Sequence, residues 1–138
     1  MTNSINKETL SNEKLIDDAL EGNVLMLDVP KANLTHDVCM AFISRNGSNI
    51  RFVPSNIRSD EFDREAVLTD AWAYGYLETK AKNLLLEAIN HSQCFDPAML
   101  GEDWAVPIDM LTDDIIAAAN AKFGSKEVQR WISKRVTN

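Results

Sequence analysis

Val29-Pro-Lys-Ala-Asn-Leu-Thr-His-Asp-Val-Cys-Met-Ala-Phe-Ile-Ser-Arg-Asn-Gly47 is the stretch on which the reading of this chain turns. Its features return as Val106-Pro107, Leu111-Thr112, Asp114-Ile115-Ile116, Ala118-Ala119 and Phe123-Gly124. The offset is constant at 77 residues, from Val29 to Val106, Thr35 to Thr112 and Gly47 to Gly124. Proline holds the residue before it out of the helical region, and a later hydroxyl restarts a helix by accepting a backbone N–H. Each copy therefore predicts one short amphipathic helix, opened at Thr35 or Thr112 and closed at a glycine.

A second offset extends the pattern toward the start. Adding 24 carries Leu10-Ser11 onto Leu34-Thr35, Gly22-Asn23 onto Asn46-Gly47 and Val29-Pro30 onto Val53-Pro54. Three Val-Pro pairs thus punctuate the chain, and Thr35, Ser59 and Thr112 each lie five residues beyond their proline. The first unit predicts a helix capped by Ser11, with Leu15, Ile16, Ala19 and Leu20 on one face and a stop at Gly22-Asn23. Val24-Leu25-Met26-Leu27 is expected as a short helical turn rather than a strand, because Pro30 removes a donor there.

The middle is larger. A helix is expected from Asp60 to about Tyr74, with Phe62, Ala66, Val67 and Ala71 on its stripe, and another over 77–90. The turn-rich segment 90–106 carries Cys94, Phe95, Met99, Leu100 and Trp104, so it should pack down, with a degenerate unit around Phe95–Leu100. Ser125 opens a last helix through Val136 with Val128, Trp131 and Ile132 inward. The expected class is all-α: a compact array of six or seven short helices built from degenerate repeats. It would form a single domain over 10–138 behind a frayed start at 1–9.

Composition bounds the rest. The 138 residues are 45% hydrophobic and 25% charged, which suits a globular domain. No run reaches the roughly 18 apolar residues of a membrane span, and the start has no leader pattern. Two cysteines, Cys39 and Cys94, make no disulfide framework, so a reduced, cytoplasmic setting is expected. The net charge is −7; beyond Ala121, Lys122, Lys126, Arg130, Lys134 and Arg135 face only Glu127, so the tail is +4 and the body −11. Such a body repels nucleic acid and anionic lipid. The basic tail suits the C-terminal end of a helix dipole better than a nucleic-acid contact.

Short units of about two dozen residues, with Asn-Gly after one helix and Val-Pro before the next, resemble a bacterial helical-repeat family of unknown function. That family occurs in intracellular-pathogen effectors and phage-associated proteins. The resemblance spans Leu10 to Ala66 and returns from Val106 to Gly124. It implies an α-helical repeat fold and brings no catalytic residue with it.

The sharpest chemical pattern is His36-x-x-Cys39 with His91-x-x-Cys94, which hold every histidine and cysteine of the chain. Residues three apart share a helix face, so two pairs would supply a Cys2His2 zinc site. Against zinc, Cys39 aligns with the core position of Ile116. Buried thiols with surface histidines are favoured, and no cofactor is expected. Asp60, Glu61 and Asp63 gather at a helix start, where carboxylates suit the dipole; they are read as a solvated acidic face and a candidate contact for a basic partner. Trp72, Tyr74 and Tyr76, with Trp104, form an aromatic centre: core anchors on one reading, an interface patch on the other. There is no P-loop, dinucleotide fingerprint, nucleophile elbow or H-E-x-x-H. The expectation is a non-enzymatic module that binds a protein. On the resemblance, it would be a phage or mobile-element accessory protein inhibiting a host system; a zinc-stabilised structural domain is the alternative.

Overall fold

A computed structural model describes the backbone of residues 2–137 and the side chains of residues 12–135. Among them the chain is all-α, with no strand. Its α-helices are α1 (Thr2–Glu21), α2 (His36–Arg45), α3 (Asp60–Thr69), α4 (Lys82–His91), α5 (Asp113–Phe123) and α6 (Ser125–Thr137). Six 3-10 helices lie between them, at Met26–Asp28, Lys31–Asn33, Gly47–Phe52, Ala71–Tyr76, Pro97–Gly101 and Ile108–Met110. Each α-helix packs on the next in chain order, and the longer 3-10 segments pack on one another and on α3 and α6. Their starts at His36, Asp60, Lys82 and Asp113 are unevenly spaced. The helix expected to open at Ser11 starts at Thr2 instead, so Ser11 lies within α1 rather than at its cap; Met1 and the side chains of residues 1–11 lie outside those described.

The Val-Pro turns share one geometry. The third residue beyond each proline donates its N–H back to the proline carbonyl: Asn33 to Pro30 at 2.8 Å, Ile57 to Pro54 at 3.1 Å and Met110 to Pro107 at 2.9 Å. Proline's fixed φ pre-sets the turn, and its carbonyl, unlike its nitrogen, can still bond. The hydroxyl residues that follow behave less uniformly than expected. Thr35 accepts from the Val38 N–H, whereas Ser59 and Thr112 stand at the cap position without a side-chain cap bond.

A second device lies outside the Val-Pro pattern. Asn46, Asp70 and Asp96 each turn a side-chain oxygen onto the N–H two residues on, in Ser48, Trp72 and Ala98, at 3.0, 3.2 and 2.9 Å. Each opens a 3-10 segment, as Asx side chains do when they offer the backbone an alternative to continuing a helix. Asp70 thereby ends α3 at Thr69, and the helix expected to run to Tyr74 breaks. The helix expected from 77 begins at Lys82, because Leu77 and Ala81 are extended with a bend at Glu78-Thr79 between them, and the Tyr74 hydroxyl donates to the Ala81 carbonyl. The expected packing of 90–106 is met in part: Phe95, Met99 and Leu100 are buried and Pro97–Gly101 is helical, whereas Cys94, expected as a buried thiol, and Trp104 are exposed.

The core runs along the stack through Ile43, Ile50, Phe62, Tyr74, Leu85 and Ile115, all fully buried. Each such side chain contributes about 1.5–3 kcal/mol by leaving water. Arginines tie the layers. Arg58 spans Asp63, Glu78 and the Tyr76 carbonyl. Arg135 of α6 donates to the carbonyls of Met99, Leu100, Glu102 and Val106, satisfying the end of the Pro97–Gly101 segment.

Candidate binding surface

The 3-10 segment Ala71–Tyr76 positions the aromatic centre. At three residues per turn, positions three apart eclipse one another. Ala71 and Tyr74 therefore share the inward edge, and both are fully buried. Trp72 and Gly75 share the next edge, and Trp104 lies against it. Its ring stacks on Trp72 with centroids 5.4 Å apart and planes 23° from parallel. A Cβ on Gly75 would come within 2.4 Å of the Trp104 ring, so only glycine lets the indole lie there. Tyr76 tilts onto Trp104 at 5.5 Å, and the Arg51 guanidinium sits over both Tyr76 and Phe52 at about 5 Å.

The result is an aromatic shelf at the surface. Trp104 keeps 47% of its surface open, and Trp72 and Tyr76 are half-buried. Of the expected patch, Trp72 and Tyr76 belong to the shelf. Tyr74 does not: it is sealed in the core, and burial pushes its phenol up to about 12. Trp104, whose core-anchor reading would bury it, is the most open ring of the group. Arg51, Phe52 and Gly75 carried no signal in the sequence beyond lying in short segments next to Val53-Pro54 and Tyr76.

The acidic residues divide. Asp60 and Glu61 are exposed at the start of α3. Asp63 points inward instead, with its carboxyl pushed up by burial and held against that push by Arg58 at 3.3 Å. Since Arg58 also binds the Tyr76 carbonyl, one guanidinium links the acidic helix start to the shelf. His36 lies between Asp37 and Glu61 at 3.1 and 3.4 Å, with its ring tilted on Phe62.

The two His-x-x-Cys pairs are not gathered into one cluster among the described residues. Cys39 is buried on α2, its thiol pushed up to about 11 by burial, while His36 is exposed among carboxylates. His91 is the last residue of α4 and Cys94 lies in the turn beyond, so the second pair does not share a helix face. No group of three or more His, Cys, Asp or Glu is arranged to hold a metal ion among the described residues. Cys94 instead reaches the rim of a recess of about 560 Å3 beside Arg45, Asn46, Asn49 and Asp70. Those four already bond within the chain, Arg45 to the Leu20 carbonyl and Asn49 to the Phe42 carbonyl among them.

No family model matches the chain, and no curated protein or solved structure matches it. The shelf has therefore to be read from its own chemistry.

Proposed function

We propose that this chain is a non-enzymatic interaction module that holds a partner protein on the shelf of Trp72, Tyr76 and Trp104. One observation carries the reading: Trp104 is braced by a stacked Trp72 and a bare Gly75 backbone, yet nearly half of it stays open. An indole fixed before binding loses little freedom on contact, and tryptophan and tyrosine dominate interface hot spots. Asp60 and Glu61 extend the surface and would steer a basic partner toward the acidic body. A cytoplasmic setting belongs to the same reading and is supported by two free thiols; no described helix is long and apolar enough to cross a membrane. The narrower version, an inhibitor from a phage or mobile element, rests on the family resemblance.

The test is capture of a partner from a bacterial lysate by the wild type, Trp104→Ala and Asp60→Lys/Glu61→Lys, with circular dichroism confirming each fold. A protein identified with the wild type should bind purified Trp104→Ala at least about 30-fold more weakly, a hot-spot loss of about 2 kcal/mol. The charge reversals should slow association and remove its salt dependence. Equal capture by folded Trp104→Ala would overturn the reading.

A further inference from the structure

The shelf also indicates what it takes. We infer that it receives an arginine side chain in a basic segment of the partner protein, an inference that rests on the interaction reading above. Three observations converge. Arg51 already places its guanidinium over Tyr76 and Phe52, at 5.1 and 4.9 Å from the ring centroids, so these ring faces accept that group in this geometry. Planar guanidinium stacks on aromatic faces and is weakly hydrated, which makes it a better occupant than ammonium.

Trp104 supplies a larger π surface than either of those rings and is 47% open. Tryptophan is also the strongest cation–π partner.

Exposed carboxylates flank the rings in sequence, beside the arginines Arg51, Arg58 and Arg135. Glu102 and Asp103 immediately precede Trp104, and Glu78 follows Tyr76 by two residues. All three are exposed. Glu78 and Asp103 each meet an internal arginine, Arg58 at 3.3 Å and Arg135 at 3.8 Å, so carboxylate–guanidinium pairing is already the local habit. An incoming arginine stacked on Trp104 would meet carboxylates at its edge, the arrangement that joins ring attraction to charge-assisted hydrogen bonds. The body charge of −11 brings such a segment in from a distance and repels an acidic one.

The test uses two peptides that differ in one group: a short Gly/Ser peptide with three arginines, and the same peptide with citrulline, isosteric but uncharged. Binding is followed at low salt by the indole N–H signals of the protein, with Trp104→Phe identifying the Trp104 resonance. The arginine peptide should move that resonance and bind about tenfold more tightly than the citrulline peptide. Asp103→Asn should weaken the arginine peptide alone. Arg51→Ala should strengthen it several-fold, because an internal competitor and a like charge are both removed, and leave the citrulline peptide unchanged. Equal binding of both peptides, or arginine binding that leaves the Trp104 signal unmoved, would overturn the inference. In that case a partner whose capture still requires Trp104 would leave the interaction reading standing, with an uncharged contact on the shelf.

Discussion

The Val-Pro segments at Pro30 and Pro107 follow one path into their helices and leave them differently. Pro30 and Pro107 have φ, ψ of −56°, 140° and −57°, 147°; Leu34 and Leu111 have −84°, 73° and −80°, 62°. Thr35 and Thr112 are equally close, at −78°, 171° and −81°, 167°. At the other end, α2 runs into Asn46, which is extended at φ −151° and opens the Gly47–Phe52 segment. The other unit's helix, α5, ends at Gly124, at φ 92°, ψ 143°, and α6 follows at once. The entry is set by local chemistry that both copies keep. The exit is set by what each helix has to pack against next.

Gly47 and Gly124 align, and they are glycines for different reasons. A Cβ at 47 would lie 2.2 Å from the Ala66 carbonyl oxygen of α3, a backbone atom with no rotamer to yield. At 124 a Cβ would meet nothing within 4 Å, but the backbone there is one that side chains rarely adopt. Gly47→Ala should therefore be the costliest change, about 3 kcal/mol or more, because α3 must shift. Gly124→Ala should cost about 2 kcal/mol from backbone strain alone. Urea unfolding measures both, and the comparison breaks if Gly124→Ala proves the more damaging.

The cap positions make a finer contrast. Thr35 accepts the Val38 N–H at 3.5 Å, while the Thr112 hydroxyl donates to Asp114, and Asp114 itself accepts the Ile115 N–H at 3.0 Å. Thr35→Ala should cost about 0.5–1 kcal/mol and Thr112→Ala only a few tenths of that scale, since the second helix keeps a carboxylate cap. Asp114→Ala in the Thr112→Ala background should then expose the missing cap, and additivity of the two would argue against shared capping.

What was legible in the sequence follows the same division. The Val-Pro and Leu-Thr signals report backbone chemistry within a few residues, and the 3-10 helices Lys31–Asn33 and Ile108–Met110 fall at corresponding positions. Asp70 gives no signal of its own, because Ala66, Val67 and Ala71 fit a helical stripe as well as they fit a helix that stops and restarts. Only the recurrence of Asx at 46, 70 and 96, each after a helical run, could have marked the break. That miss decided the site: a helix through Tyr74 leaves Tyr74 and Tyr76 undecided, whereas a 3-10 period buries the first and turns the second to the shelf. Trp104 and Gly75 meet only in three dimensions, so no spacing announces them. The paired His-x-x-Cys spacing likewise says nothing of whether the pairs meet, since His91 closes α4 and Cys94 lies in the turn beyond it.

The smallest predicted effects concern the first turns of α2 and α5, where Asp37 and Asp114 align and face opposite partners. Both ring nitrogens of His36 lie near carboxylates, Asp37 at Nδ1 and Glu61 at Nε2, and only the doubly protonated ring donates to both. The Asp37 hydrogen bond first, and Glu61 after it, hold the His36 pKa above its ordinary 6.5. Asp114 is held at about 2, below its ordinary 3.8, by Lys82 at 2.8 Å first and by Thr112 after it. The signs are opposite. The histidine contact stabilises fully below pH 6.5 and is lost as pH rises through the raised folded value; the aspartate contact stabilises above 3.8 and is lost as pH falls toward 2. The first unit should thus loosen as pH rises above 6.5 and the second only in strong acid. NMR titration of the His36 ring should give a midpoint above 6.5 that falls back in Glu61→Gln, and the Asp114 carboxyl should rise toward 3.8 in Lys82→Ala. Both groups are exposed and salt screens them, so the shifts should shrink at high ionic strength. A His36 midpoint indifferent to Glu61 would mean that α2 and α3 are held together by Phe62 and its apolar neighbours alone.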